Sequence, residues 1–277
     1  MSRPLLLTLL LAAAPAFAEA GLQYLGPKPA ERVAKVVTLA PSLTETVLAL
    51  GPASLLTGVS RFDEAPEVAK LPRVGGYLDP SVEAVVALHP DLVLVQPSPG
   101  NRKAVEKIAS LGVPVLCVPM QNLEQTLAAI LEVGRALGFV TRAREVAARI
   151  NSARAEVRAR AAGQPRVRVL LAYGFTPLVV AGAGSFAGEL LADAGGDNAA
   201  EGAQGLYPVY SVESALRSKV EVVIDASDVP GGSDKLRALP GLKEARWVKL
   251  PSKDLMHPGP HLGRGLLELY GLLHPTR

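Results

Sequence analysis

Ser81-Val82-Glu83-Ala84 leads into Asp91-Leu92-Val93-Leu94-Val95, and 130 positions later Ser211-Val212-Glu213-Ser214 leads into Glu221-Val222-Val223-Ile224. Each copy reads as a short amphipathic helix followed by a buried β run. Each also sets a glutamate in the first turn of its helix, at what should be the matching point of two similar lobes. A lone acid there would complement a helix N-terminus, a contribution of roughly 0.3 to 1 kcal/mol. A matched pair suits a two-point contact with a symmetric partner, because paired charged contacts fix orientation and speed docking.

Upstream and downstream of the first copy, strands alternate with helices. Val36-Val37-Thr38-Leu39 reads as a strand, and a helix is expected from Pro41 to Leu50, stopped by Gly51-Pro52. Ser42 and Glu45 have capping-box spacing, which accounts for Ser42 without a nucleophilic role. Then follow a strand at 56–59, a helix at 82–88, a strand at 91–95, a helix at 102–111 and a strand at 113–118. Alternation of this kind predicts a parallel sheet with helices on its faces. The second copy belongs to a comparable series, with strands at 167–173, 220–226 and 247–250 and helices at 185–194 and 212–216.

Between the two series the chain is helical from about 123 to 162, with a break near Gly138. Val146, Ile150, Ala153 and Val157 recur at spacings of four, three and four, with arginines and glutamates on the other faces. Thr141 is the expected N-cap, and Gly163 followed by Pro165 is the expected stop. The predicted organisation is an N-terminal lobe at 21–137, a linking helix at 138–164 and a C-terminal lobe at 165–277. A helical connector holds lobes at a fixed spacing, where a Gly/Ser linker would let them roam.

Residues 1–20 read as a secretory signal peptide: Arg3, an apolar run from Leu5 to Ala14, then small residues suited to cleavage. The run is too short for a bilayer core of about 30 Å. No cysteine follows it, which argues against a lipid anchor and for a soluble periplasmic chain. The roughly 255 residues that remain suffice for two lobes with their own cores. The 29 basic and 26 acidic side chains are interleaved, giving no nucleic-acid footprint. The sole cysteine, Cys117, lies in an apolar strand and reads as a buried, inert thiol.

Signals for catalysis are thin. Gly182-Ala183-Gly184-Ser185 lacks both the Walker lysine and the third glycine of the dinucleotide fingerprint. His257 and His261 are separated by Pro258-Gly259-Pro260, which forbids the helix that would make them a metal pair. Scattered Ser, His and Asp residues are the sole support for a secreted α/β hydrolase. The chain therefore reads as a binding protein, with no catalytic residues, metal ligands or cofactor. Ligands of open α/β sheets sit beyond the strand carboxyl ends and at lobe interfaces. At least four of only 12 aromatic residues fall at such places, among Phe62, Tyr77, Tyr173, Tyr207 and Tyr210. Flat rings there suit a large planar ligand. Asp254, Met256 and His257 follow the last strand and are candidate polar or lining groups of the same cleft.

The order of Val36-Val37-Thr38-Leu39-Ala40-Pro41-Ser42-Leu43-Thr44-Glu45, Val74-Gly75-Gly76-Tyr77, the whole run from Ser81 to Val93, and Leu111-Gly112-Val113-Pro114-Val115 resembles one class of periplasmic binding proteins. These are the class III proteins, α/β in fold, with two Rossmann-like lobes joined by one long rigid helix. They serve ABC importers of vitamin B12, haem and iron-siderophores. Within the class the chain looks most like the vitamin B12 (cobalamin) binders. That resemblance implies a corrinoid clasped by Phe62, Tyr77, Tyr173 and Tyr207, with Asp254 and His257 as polar pocket residues. It also implies that Glu83 and Glu213 meet arginines on an ABC permease dimer that works with ATPase subunits, the binding protein itself being a monomer. Gln96 and Leu255 depart from the pattern, standing where the B12 family can carry tryptophans. Haem is the alternative ligand, with Tyr77 and His257 in the positions to meet iron.

Overall fold

The computed structural model describes residues 21–227 and 230–275, so the leader read at 1–20 lies outside the described residues. Two separate sheets form. In the first, β1 (Gln23–Leu25), β2 (Val36–Thr38), β3 (Leu56–Gly58), β4 (Leu92–Val95) and β5 (Val115–Cys117) stand in the order β1-β5-β4-β2-β3. All pairings are parallel except that of edge strand β1 with β5. Every residue of β2, β4 and β5 is buried, as expected when helices cover both faces of a parallel sheet.

The helices of this half are α1 (Pro41–Leu50), α2 (Val82–Ala87), α3 (Arg102–Ser110) and α4 (Leu123–Ala136), after which α5 (Val140–Ala161) leads to the second sheet. There β6 (Val167–Phe175), β7 (Leu178–Val180), β8 (Gly196–Asn198), β9 (Val222–Asp225) and β10 (Arg246–Lys249) assemble as β10-β9-β6-β7, with β8 also on β6. Only β7 runs antiparallel. The accompanying helices are α6 (Phe186–Asp193), α7 (Val212–Arg217), α8 (Asp234–Arg237) and α9 (Leu262–Leu273).

Three apolar clusters hold these layers together. Val37, Val93, Ile108 and Val115 belong to a cluster confined to the first sheet, and Leu170, Val223, Leu236 and Leu242 to one confined to the second. The third is shared, running from Leu43 and Ile130 through Val146 and Ile150 to Leu190 and Leu266. The two halves are thus joined by a continuous helical core. At 22 residues α5 is about 33 Å long, and it buries the predicted stripe at Val146, Ile150 and Val157 against its neighbours.

Close backbone approaches and buried charge fix α5 further. A Cβ at Gly134 of α4 would stand 2.3 Å from Ala143 Cβ, and one at Gly263 of α9 would stand 3.3 Å from Ala153 Cβ. Asp193 of α6, nearly buried, accepts from Arg154 and Arg158 of α5, the latter at 2.5 Å.

Two expected caps are corrected. Pro41 is the first residue of α1, with Ala40 as a cap that offers no side chain, so Ser42 lies inside the helix and is not paired with Glu45 in a capping box. Its Oγ accepts instead from Gln96 Nε2 at 2.6 Å. Helix α5 starts at Val140 behind Phe139, again without a side-chain cap, which puts Thr141 within the first turn.

Candidate functional site

The loops beyond the carboxyl ends of β3 and β10 face each other. Pro41, Glu45, Phe62 and Asp63 on one side and Met256 and His257 on the other line a cavity of about 390 Å³. A smaller one of about 220 Å³, at the ends of β9 and β10, shares Lys253 and Met256 with it. The two sides touch directly, since Lys253 Nζ donates to Glu64 Oε2 at 2.6 Å and His257 Nε2 lies 3.5 Å from Glu45 Oε1. Another cavity, of about 540 Å³, lies on the helical side between α5 and α9. It has no Phe, Tyr or Trp lining it and is away from the strand ends, so the cleft is the better ligand site.

Phe62 follows β3 and is 57% exposed, with the Arg61 guanidinium 5.1 Å from its ring centroid. Arg61 is itself held by Asp79, Nη2 reaching both carboxylate oxygens at 2.7 and 2.8 Å. On the other half, Tyr207 meets Tyr173 edge to face, centroids 5.2 Å apart and planes at 85°, and Phe186 stands behind at 6.4 Å. Tyr207 remains 39% exposed. The Tyr173 hydroxyl donates to Leu255 O at 2.6 Å, tying the ring pair to the loop that carries His257. Tyr77 is half-buried against the shared core, its carbonyl accepting from Asn101 Nδ2 at 3.0 Å. Burial raises all three tyrosine hydroxyls above the ordinary phenol value, so they stand protonated and act as neutral donors and apolar surface.

Asp254 and His257 have different surroundings despite lying in one loop. Asp254 forms a two-point ion pair with Arg264 of α9, Nη2 to Oδ1 at 2.8 Å. This pins the loop onto α9. The His257 ring lines the cavity, and its buried Nδ1 has no partner among the described residues. Burial lowers its pKa, against the pull of Asp63 and Asp254, which favours the neutral ring.

Glu45 was not singled out by sequence. Its carboxyl is pushed up to about 7, first by burial and then by the Asp254 and Asp63 carboxylates, with Arg264 opposing. Asp63 is buried and accepts from Ser60 Oγ at 2.7 Å. The available signal was position: Glu45 lies one helical turn beyond the carboxyl end of β2, where a side chain can enter the cleft. Among the described residues no group of three or more His, Cys, Asp or Glu side chains could hold a metal ion.

The two repeat glutamates lie away from this cleft lining. Glu83 and Glu213 are exposed in the first turns of α2 and α7. Ser81 and Ser211 cap those helices, accepting from Ala84 N at 3.2 Å and Ser214 N at 3.0 Å. The same local chemistry therefore presents a carboxylate at the same step of each half. Among the described residues no helix is long and apolar enough to cross a membrane.

Known proteins resemble this chain in sequence and fold. The periplasmic binding protein family model matches residues 36–246. A vitamin B12-binding protein of Salmonella typhimurium is 30% identical over 193 residues, 69% of this chain and 72% of that protein. A periplasmic heme binding protein from Pseudomonas aeruginosa superposes with a TM-score of 0.76 at 28% identity, covering 88% of this chain and 94% of the other. The periplasmic vitamin B12 binding protein of Vibrio cholerae gives a TM-score of 0.74 at 20% identity, over 87% and 96% of the two chains, a likeness of fold. These relatives are named as binding proteins, not enzymes.

Proposed function

We propose that this chain, which belongs to the periplasmic binding protein family, captures cobalamin or a related corrinoid between its two halves and delivers it to an ABC importer. The observation that carries this reading is the relative named for vitamin B12, 30% identical across most of both chains. The cleft supports it. Phe62 offers an exposed ring from one side and Tyr207, braced by Tyr173 and Phe186, offers another from the opposite half. Burial of a broad macrocycle between such rings supplies apolar contact area and ring packing. Tyr77 extends the first wall, and His257 supplies the polar contact. Asp254 acts through Arg264 by holding the His257 loop in place.

The working division is a leader at 1–20 that is removed on export, lobes at 21–137 and 165–277, and a linking segment at 138–164. The mature chain works in the periplasm as a monomer. Glu83 and Glu213 dock it onto the two permease subunits, which are coupled to ATPase subunits. Haem is the second reading, favoured by the 28% identity to the Pseudomonas protein and by His257, which lines the cavity.

Visible absorption spectra of the protein after incubation with cobalamin and with haemin, followed by desalting, separate the two. Retention of the corrinoid spectrum is expected. A shifted Soret band that Tyr77→Ala or His257→Ala removes would assign haem, and retention of neither chromophore would refute both.

A further inference from the structure

The charges around the main cavity do not balance. Helix α1 contributes Glu45, the loop after β3 contributes Arg61, Asp63 and Glu64, and the segment after β10 contributes Lys253, Asp254, His257 and His261, followed by Arg264 of α9. Arg61 is bound to Asp79, Lys253 to Glu64 and Arg264 to Asp254. Burial lowers the pKa of both histidines. Glu45 and Asp63 are left as carboxyl groups without a cationic partner among the described residues, Asp63 meeting only a serine hydroxyl.

This end of the cleft is therefore rich in hydrogen-bond acceptors, while the cations that line it, Arg61 and Lys253, are each held by a carboxylate. A ligand edge group that donates N–H bonds, such as a carboxamide, meets acceptors there without electrostatic cost. A carboxylate has no proton to give and is repelled by the same oxygens. We propose that Glu45 and Asp63 are specificity-determining residues that make the cleft select carboxamide-edged macrocycles over carboxylate-edged ones. The inference rests on the corrinoid reading and deepens it: corrins carry amide side chains, whereas haem carries propionates. The raised pKa of Glu45 adds a second signature, since discrimination strengthens as that carboxyl ionises through about pH 7.

The test compares cobalamin with the isomeric monocarboxylic acids obtained by hydrolysing one propionamide, by calorimetry at about pH 6 and about pH 8. Wild-type protein is expected to prefer cobalamin over at least one isomer by roughly five- to tenfold at the higher pH, and by less at the lower. Glu45→Gln and, separately, Asp63→Asn are expected to narrow that ratio to about twofold. Equal binding of all isomers by the wild type, or an unchanged ratio in both variants, overturns the inference and leaves the corrinoid reading standing. If no corrinoid binds, the corrinoid reading falls, and the same comparison with haemin and its dimethyl ester decides the inference. Preference for the ester that Glu45→Gln erases supports it, and preference for free haemin overturns it.

Discussion

His89 and Lys219 are the two non-glycine residues with positive φ among those described, at 45° and 51°, and they stand 130 positions apart at the same step of the two repeats. Each ends the short helix that carries Glu83 or Glu213 and turns the chain into a central strand. The correspondence reaches in both directions. Upstream, Gly75 and Gly205 have φ of 100° and 97°, followed two residues on by Tyr77 and Tyr207. Downstream, Asp91 N donates to Lys35 O and Glu221 N to Arg168 O, each at 2.9 Å, while both acids accept backbone N–H groups at the start of the neighbouring strand. A repeat visible as a few similar letters is, in three dimensions, a repeat of backbone conformation.

The left-handed turn at Lys219 can be tested because the residue is exposed. A lysine there carries a steric cost of roughly 1 kcal/mol that glycine escapes, partly offset by the greater chain entropy of glycine. Lys219→Gly should leave stability unchanged or raise it by up to about 1 kcal/mol, and Lys219→Val should lower it by about 1 to 2 kcal/mol. Urea unfolding of the two variants measures the difference. Equal midpoints would mean that the turn relaxes.

Gly134 sets propensity against packing. On helix preference alone, Gly134→Ala within α4 would stabilise by about 1 kcal/mol. Its new Cβ would stand 2.3 Å from Ala143 Cβ and push α4 off α5, and overpacking of that kind costs about 1 to 3 kcal/mol. Packing should win, with a lower thermal midpoint for Gly134→Ala. Gly112→Ala is no control, because its φ of 85° adds backbone strain. Exposed Ala155→Gly within α5 measures the propensity effect separately.

Glu45 should make stability depend on pH in an unusual direction. Its carboxyl stands at about 7 in the folded chain against an ordinary value of 4.5, so between those pH values the folded state holds a proton that the unfolded state has lost. Stability from this group is full below about pH 4.5 and is lost as pH rises through about 7. Glu45→Gln removes the effect, and the stability of the variant relative to wild type should grow by on the order of 2 kcal/mol from pH 5 to pH 8. Urea melts across that range check it. Parallel curves would show that Glu45 ionises as freely as in water.

The paired α2 and α7 helices were legible in the sequence because amphipathic spacing and the apolar strands that follow agree locally. Helix α9 was missed although Leu262, Leu266, Leu269 and Leu273 are spaced four, three and four and all are buried; the preceding run of prolines and histidines drew attention to loop chemistry. Strands β1, β7 and β8, three residues each, are too short for alternation to register. Phe62, Tyr77 and Tyr207 were legible as rare residues in loops, whereas Tyr173, expected past a strand end, lies inside β6, which runs on to Phe175. Glu45 was hidden by a spacing that also spells a capping box, and the hold of Arg264 on Asp254 depends on α9 folding back, which local spacing does not express. Gln96, read as a missing ring, has its own work in joining Ser42 to the end of β4.

Glu83 and Glu213 lead to the last prediction. Both are exposed, neither lines the cleft cavities, and each stands in a capped first helical turn that persists without its side chain. Exposed carboxylates of this kind contribute little to folding, so Glu83→Ala with Glu213→Ala should change stability by under about 1 kcal/mol. Ligand affinity should also hold, since the rings and His257 are untouched. Docking should respond differently: each single variant weakens association with the cognate permease in part, and the double variant weakens it much further, with the loss mainly in association rate and diminished by added salt. Surface plasmon resonance against the permease in nanodiscs, run at two salt concentrations, reads all of these. A double variant that docks and transports like wild type would return both glutamates to the role of helix N-terminal charges.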